Sequence, residues 1–121
     1  MKPIALACLF SLAVAPAYAD VSLGVGITVS GDAEIKTTTY DCGDAGKLAV
    51  QYLNAAPNFL ALIPIKEQTL VFVNTISASG AKYESGQYVW WNKGADATLS
   101  DITEGLDAAP VMTCSEENNT P

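Results

Sequence analysis

An all-β fold, most simply a small antiparallel barrel, is what this sequence predicts, and three observations predict it. Apolar residues recur at every second position through most of the chain, the period of a strand with one face buried. The runs are short, and the breaks between them are rich in Gly, Pro, Asn and Asp, residues that turns select. No stretch keeps a helical period beyond about two turns. Many short strands at regular spacing make a sandwich or a barrel, and a chain of this size removes its open edges most simply by closing on itself.

Residues 1–19 stand apart from that fold. Lys2 gives a basic start, Ile4 to Ala15 is an apolar run, and Ala17-Tyr18-Ala19 is a small-x-small cleavage site. The run is too short to span a bilayer. A secretory signal cleaved after Ala19 is expected, leaving one domain over residues 20–121. Cys8 follows Ala5-Leu6-Ala7 as a lipid-anchor cysteine would. Almost no apolar segment precedes it, so no membrane anchor is expected.

The first strand candidate is Val21 to Val29, with Val21, Leu23, Val25, Ile27 and Val29 on one face. Glu34 to Tyr40, Lys47 to Leu53, Phe59 to Ile65 and Thr69 to Thr75 follow. Ala81 to Glu84, Gln87 to Trp91, Ala95 to Leu99 and Val111 to Cys114 complete the series. No internal repeat or linker is present, and the polar tail from Ser115 to Pro121 is expected to fray. Its Asn118-Asn119-Thr120 sequon reads as chance.

Once the signal is removed, five lysines face thirteen acids, a net charge of −8, with no arginine or histidine. Nucleic acid and anionic membrane both call for a cationic surface and are poor partners for this chain. A basic protein suits this charge, although acidity also serves solubility. With Cys8 discarded, Cys42 and Cys114 remain, and an oxidising compartment pairs them. Closing so long a loop stabilises by about 4 kcal/mol on the chain-entropy model. Two cysteines without histidine make a poor metal site, and neither metal nor cofactor is expected.

One stretch, SASGAKYESGQYVWWNKG over residues 77–94, carries the functional reading. Glu84-Ser85-Gly86-Gln87 reads as a tight hairpin turn. With Ser85 and Gly86 as its loop, Tyr83 faces Tyr88, Gly80 faces Trp91, Ser79 faces Asn92 and Ala78 faces Lys93. The turn at Ser77–Gly80 and the turn at Asn92–Gly94 then share one end of the sheet, which makes Ser79 and Lys93 neighbours. Gly80, lacking a side chain, leaves room for the Trp91 indole. The plainer reading is that serine and glycine are ordinary turn residues and the lysine is simply solvated. Tyr83 is either a contact residue or the cross-strand partner of Tyr88, and Trp90-Trp91 is expected to be core and loop support.

SASGAKY at 77–83 and WWNKG at 90–94 resemble the paired signatures of the c-type lysozyme inhibitor family, membrane-bound or periplasmic. Tyr40-Asp41-Cys42-Gly43 resembles its third mark, and Cys114 its closing cysteine, so the likeness runs from about Thr39 to Cys114. It implies an eight-stranded antiparallel barrel with one disulfide. It also implies inhibition by insertion of the serine loop and the signature lysine into the lysozyme cleft, which assigns Ser79 and Lys93, with Gly80 and Tyr83 beside them. Without a usable lipobox cysteine, the likeness is to the soluble periplasmic branch. The segment from Asp20 to Lys36 precedes the matched region, and an added strand or self-association into a homodimer are both open to it. Two other classes stand against this reading. A glycan-binding barrel would use Tyr83, Tyr88 and Trp90 as a stacking face, and a glycosidase would need a pair of acids in a catalytic motif that the sequence lacks.

Overall fold

The computed structural model describes residues 3, 13–18, 24, 26, 28 and 31–117. Within them eight strands form a closed antiparallel barrel. They are β1 (Glu34–Asp41), β2 (Lys47–Ala55), β3 (Asn58–Ile65), β4 (Gln68–Thr75), β5 (Ala81–Ser85), β6 (Tyr88–Lys93), β7 (Asp96–Asp101) and β8 (Met112–Glu116). Each pairs with the next, and β8 returns to β1. The strands expected from alternation are these eight, with no end displaced by more than two residues. The ninth candidate, Val21 to Val29, lies mostly outside the described residues, as do the expected cleavage point after Ala19 and residues 118–121 of the tail.

Alternation decides which side chains fill the interior. Tyr40, Val50, Tyr52, Ile63, Phe72, Tyr83, Trp90 and Leu99 point inward and pack into one core, and Trp90, Phe72 and Ile63 are fully enclosed. Burying a side chain of this size stabilises by roughly 1.5–3 kcal/mol. Trp90 meets Tyr40 edge to face at 5.3 Å between ring centroids, the geometry that aromatic quadrupoles favour.

The seam between β1 and β8 is short. Its register holds two pairs, Tyr40↔Glu116 and Asp41↔Ser115, against eight between β1 and β2. The Cys42–Cys114 disulfide lies at this seam and joins residues 72 apart in sequence. The expectation of a frayed tail from Ser115 is corrected as far as Glu117. β8 continues through Glu116, the Glu117 backbone N–H donates to Thr39 O at 2.9 Å, and Lys47 Nζ lies 2.6 Å from Glu117 Oε1. A polar segment is ordered here because strand pairing uses backbone groups, which need no apolar side chain.

The β5–β6 hairpin also departs from expectation. Its loop residues are Gly86 and Gln87, so Ser85 faces Tyr88, Tyr83 faces Trp90 and Lys82 faces Trp91. The cause is the conformation that the turn demands. Gly86 has φ +54 and Gln87 is not at positive φ, as in a type II′ turn, which puts glycine first. A loop of Ser85 and Gly86 in the type I′ form would require positive φ at the serine as well. Moving the turn by one residue shifts every pair by two.

Candidate functional site

One end of the barrel carries the β4–β5 loop (residues 76–80) and the β6–β7 turn at residues 94–95. Strand alternation turns Trp90 and Asn92 inward, so Trp91 and Lys93 occupy the outer face of β6. Lys93 is exposed, and its Nζ stands 3.9 Å from the centroid of the Trp91 ring. Among the described residues it forms no ion pair, whereas Lys82 pairs with Glu84 at 3.3 Å.

The loop is held by its backbone and leaves its surface free. Ser77 Oγ donates to Gly80 O at 3.1 Å, and Trp91 Nε1 donates to Ser79 O at 2.9 Å. Ser79 and Gly80 are exposed. Gly80 has φ +66, and a Cβ built there would fall 2.0 Å from the Asn92 carbonyl oxygen and 3.3 Å from Lys93 Cγ. Here glycine is required twice, for its backbone conformation and for the close approach of the loop to β6. The space at Gly80 thus admits the backbone of Asn92 and the stem of Lys93. The expectation that it serves the Trp91 indole is corrected, for the indole reaches the loop through its N–H.

Beneath the loop lies a polar network inside the barrel. Tyr52 Oη accepts from Trp90 Nε1 and from Asn92 Nδ2, each at 2.8 Å. Tyr52 Oη also shares a hydrogen bond with Tyr40 Oη at 2.9 Å, which either phenol can donate. Burial, followed by the bond with Tyr52, raises the Tyr40 phenol well above its ordinary range, and burial likewise raises Tyr83. The network anchors Asn92, whose carbonyl backs Gly80. Asn92 Oδ1 is itself buried and has no partner among the described residues. A recess of ≈ 210 Å³ opens in this region, lined among others by Lys36, Thr38, Asn92 and Glu116.

The structure therefore brings Ser79, Gly80 and Lys93 together at one end, although through a different register from the one expected. Tyr83 is placed elsewhere. It is 6% exposed, faces Trp90 across the sheet and packs on Tyr52 at 5.6 Å between ring centroids. It is neither part of the loop surface nor the partner of Tyr88. The stacking face of Tyr83, Tyr88 and Trp90 is corrected for the same reason, because Trp90 and Tyr83 are both core residues. Cys42 and Cys114 are bonded. Sequence reasoning missed Tyr52 and Asn92, since nothing local to either residue announces a partner about forty positions away.

The family model described as "Membrane-bound lysozyme-inhibitor of c-type lysozyme" matches residues 40–107. That span takes in the loop and Lys93, and it ends before Cys114. A membrane-bound lysozyme inhibitor of C-type lysozyme from Pseudomonas aeruginosa is 45% identical over 93 residues, covering 74% of this chain and 73% of the relative. A protein of the same description from Cupriavidus necator is 37% identical over 79 residues, covering 65% of this chain and 63% of that relative. Among solved structures, Pseudomonas aeruginosa MliC in complex with hen egg white lysozyme aligns with a TM-score of 0.64 at 40% identity, over 83% of this chain and 99% of that one. The periplasmic lysozyme inhibitor PliC of Salmonella typhimurium aligns with a TM-score of 0.60 at 32% identity, over 70% of this chain and all of that one.

Proposed function

The chain belongs to the family of lysozyme inhibitors of c-type lysozyme, and from that premise we propose that it blocks such an enzyme by placing Ser79 and Lys93 in the active-site cleft. The observation that carries the reading is the pairing, on one braced end of the barrel, of an exposed serine loop and an exposed lysine that forms no ion pair among the described residues. Lysozyme works with two carboxyl groups: a protonated glutamic acid donates to the leaving group, and an ionised aspartate stabilises or attacks the sugar cation. An ammonium in that cleft pairs with the aspartate where the cationic transition state would form. A serine hydroxyl hydrogen-bonds the glutamic acid, and its small size lets the loop reach the floor. Charge-assisted bonds shielded from water outweigh exposed pairs, so occupation suffices and the inhibitor needs no chemistry of its own.

The envelope is where an inhibitor meets this enzyme. Export with cleavage after Ala19 and a soluble periplasmic form without lipid complete the proposal, although the Pseudomonas and Cupriavidus relatives are named as membrane-bound. N-terminal sequencing and mass of the exported protein test that part.

Clearing of a bacterial cell suspension by hen lysozyme, with and without the purified protein, tests the function. Wild type should slow clearing. Lys93→Met keeps the stem and removes the charge, and it should weaken inhibition by about 2–5 kcal/mol, the range for breaking a buried charge pair. Ser79→Ala should lose about 1–2 kcal/mol, because only a neutral hydroxyl goes. Wild-type potency in Lys93→Met would show that the cation is not what occupies the cleft.

A further inference from the structure

We infer that Trp91 is a positioning residue that presents both halves of the plug at once, an inference that rests on the reading of Ser79 and Lys93 given above. Its indole does two jobs with different parts of one rigid ring. The N–H edge holds the loop through the Ser79 carbonyl at 2.9 Å. The face carries the Lys93 ammonium at 3.9 Å from its centroid, well within cation–π range.

Two lysines flank this ring, and the surroundings choose between them. Lys82, opposite Trp91 on β5, stands 5.7 Å from the centroid and is drawn 3.3 Å from Glu84. Lys93, two residues along the same face of β6, faces Asp96 on β7, whose Oδ1 accepts from Ser115 Oγ at 2.8 Å; it forms no ion pair among the described residues and takes the ring. Trp91 is itself only half-buried, so it is not mainly core filler. Its strand is paired on both sides, through Lys82 and Thr98, and this fixes where the indole starts.

Lysine is among the side chains that lose most rotamer freedom when immobilised, and a loop of small residues is free to move. Ordering both before encounter lowers the entropic penalty of binding. The expected signature of such preorganisation is a larger fraction of binding-competent molecules, read as faster association. The cation–π contact at an exposed site is weak enough to yield to a carboxylate in the cleft.

Two variants separate the ring's edge from its face. Trp91→Phe keeps an aromatic face and loses the N–H, and Trp91→Leu loses both. In the free protein, NMR of the Lys93 ε-methylene should show an upfield ring-current shift that survives in part in Trp91→Phe and vanishes in Trp91→Leu. Against hen lysozyme, Trp91→Phe should slow association about three- to tenfold, the worth of one neutral hydrogen bond. Trp91→Leu should slow it roughly ten- to a hundredfold once the cation's seat is also lost. Dissociation should change less, and melting curves report folding separately, since a merely structural role would lower the melting temperature and leave association of the folded protein alone.

An unmoved Lys93 resonance in Trp91→Leu overturns the role of Trp91, whether or not lysozyme binds. Association of Trp91→Leu at or above the wild-type rate overturns it too, the faster case meaning that the indole withholds the lysine. Wild-type protein that fails to bind lysozyme, or binding indifferent to Lys93→Met, removes the reading of the site on which the inference stands.

Discussion

Substitution of Gly80 by alanine isolates the close approach that seats the loop. The backbone there has φ +66, and the added Cβ would meet the Asn92 carbonyl oxygen at 2.0 Å. Positive φ alone costs a residue with a Cβ roughly 1–2 kcal/mol. Gly86, with φ +54 and open space around its missing Cβ, supplies the control, for Gly86→Ala carries the conformational cost without a clash. At Gly80 the obstructing atom belongs to a backbone paired on both sides, through Ala81 and Ala97, and it cannot rotate away. An ordinary contact needs roughly 3.5 Å, so something must move by more than 1 Å. Overpacking of this kind adds roughly 1–3 kcal/mol if the structure resists. Gly80→Ala should therefore lose about 2–5 kcal/mol if the loop holds its place. It should lose about as much as Gly86→Ala if the loop lifts from β6. Either way the surface that meets the cleft is displaced, and inhibition should fall by at least about tenfold, equivalent to 1.4 kcal/mol. Gly86→Ala, at the opposite end of the β5–β6 hairpin, should inhibit normally once folded. Thermal unfolding and the lysozyme clearing assay on both variants settle the comparison. Equal inhibition by the two would refute the reasoning, because the close approach would then not set the loop.

Three further outcomes are expected. Reduction of Cys42–Cys114 should cost about 4 kcal/mol of stability, seen as a melting temperature lower by many degrees; unchanged melting after complete thiol titration would contradict it. The buried phenols of Tyr40 and Tyr83 ionise above their ordinary range, so the unfolded chain releases those protons first. Stability should then be full below about pH 10 and decline above it, and Tyr40→Phe should flatten the decline in melting temperature. An equally steep decline in that variant would place the alkaline transition elsewhere. The acidic surface should speed encounter with a basic lysozyme, so association should slow as salt rises past physiological strength while dissociation changes little; a salt-independent association rate would leave the acidity with a solubility role.

The barrel was legible because its strands carry their burial pattern locally. In β2, Leu48, Val50 and Tyr52 are buried and alternate with exposed Lys47, Ala49 and Gln51, and no distant information is needed to see it. Turns were legible only where their residues specify a conformation. Lys66 and Glu67 connect β3 to β4 with both residues at positive φ, yet neither is a type that announces such a turn. The glycine at 86 announced a turn but not its position within it, and the cross-strand partners of Tyr83 and Trp91 were misplaced as a result. Ser79 and Lys93 were still brought to one end of the barrel, since a shift of two leaves both turns at the same edge. What joins them, the Trp91 edge and face, depends on side-chain directions that spacing does not encode. The Tyr40–Tyr52–Trp90–Asn92 network depends on strands β1, β2 and β6 converging inside a closed barrel, and was illegible for the same reason.

The two-pair seam between β1 and β8 has a consequence for quality control in the cell. A closed barrel hides every strand edge, and this one is fastened at its last joint by two ladder pairs, the Glu117 N–H bond to Thr39 and a covalent bond. Where the thiols stay reduced, that joint is the easiest place for the ring to open into a curved sheet with two bare edges. Such edges recruit strands from neighbouring molecules. The failure expected of a chain kept from oxidation is therefore aggregation through β1 and β8, so that solubility depends on the compartment in which this protein folds as well as on its surface charge.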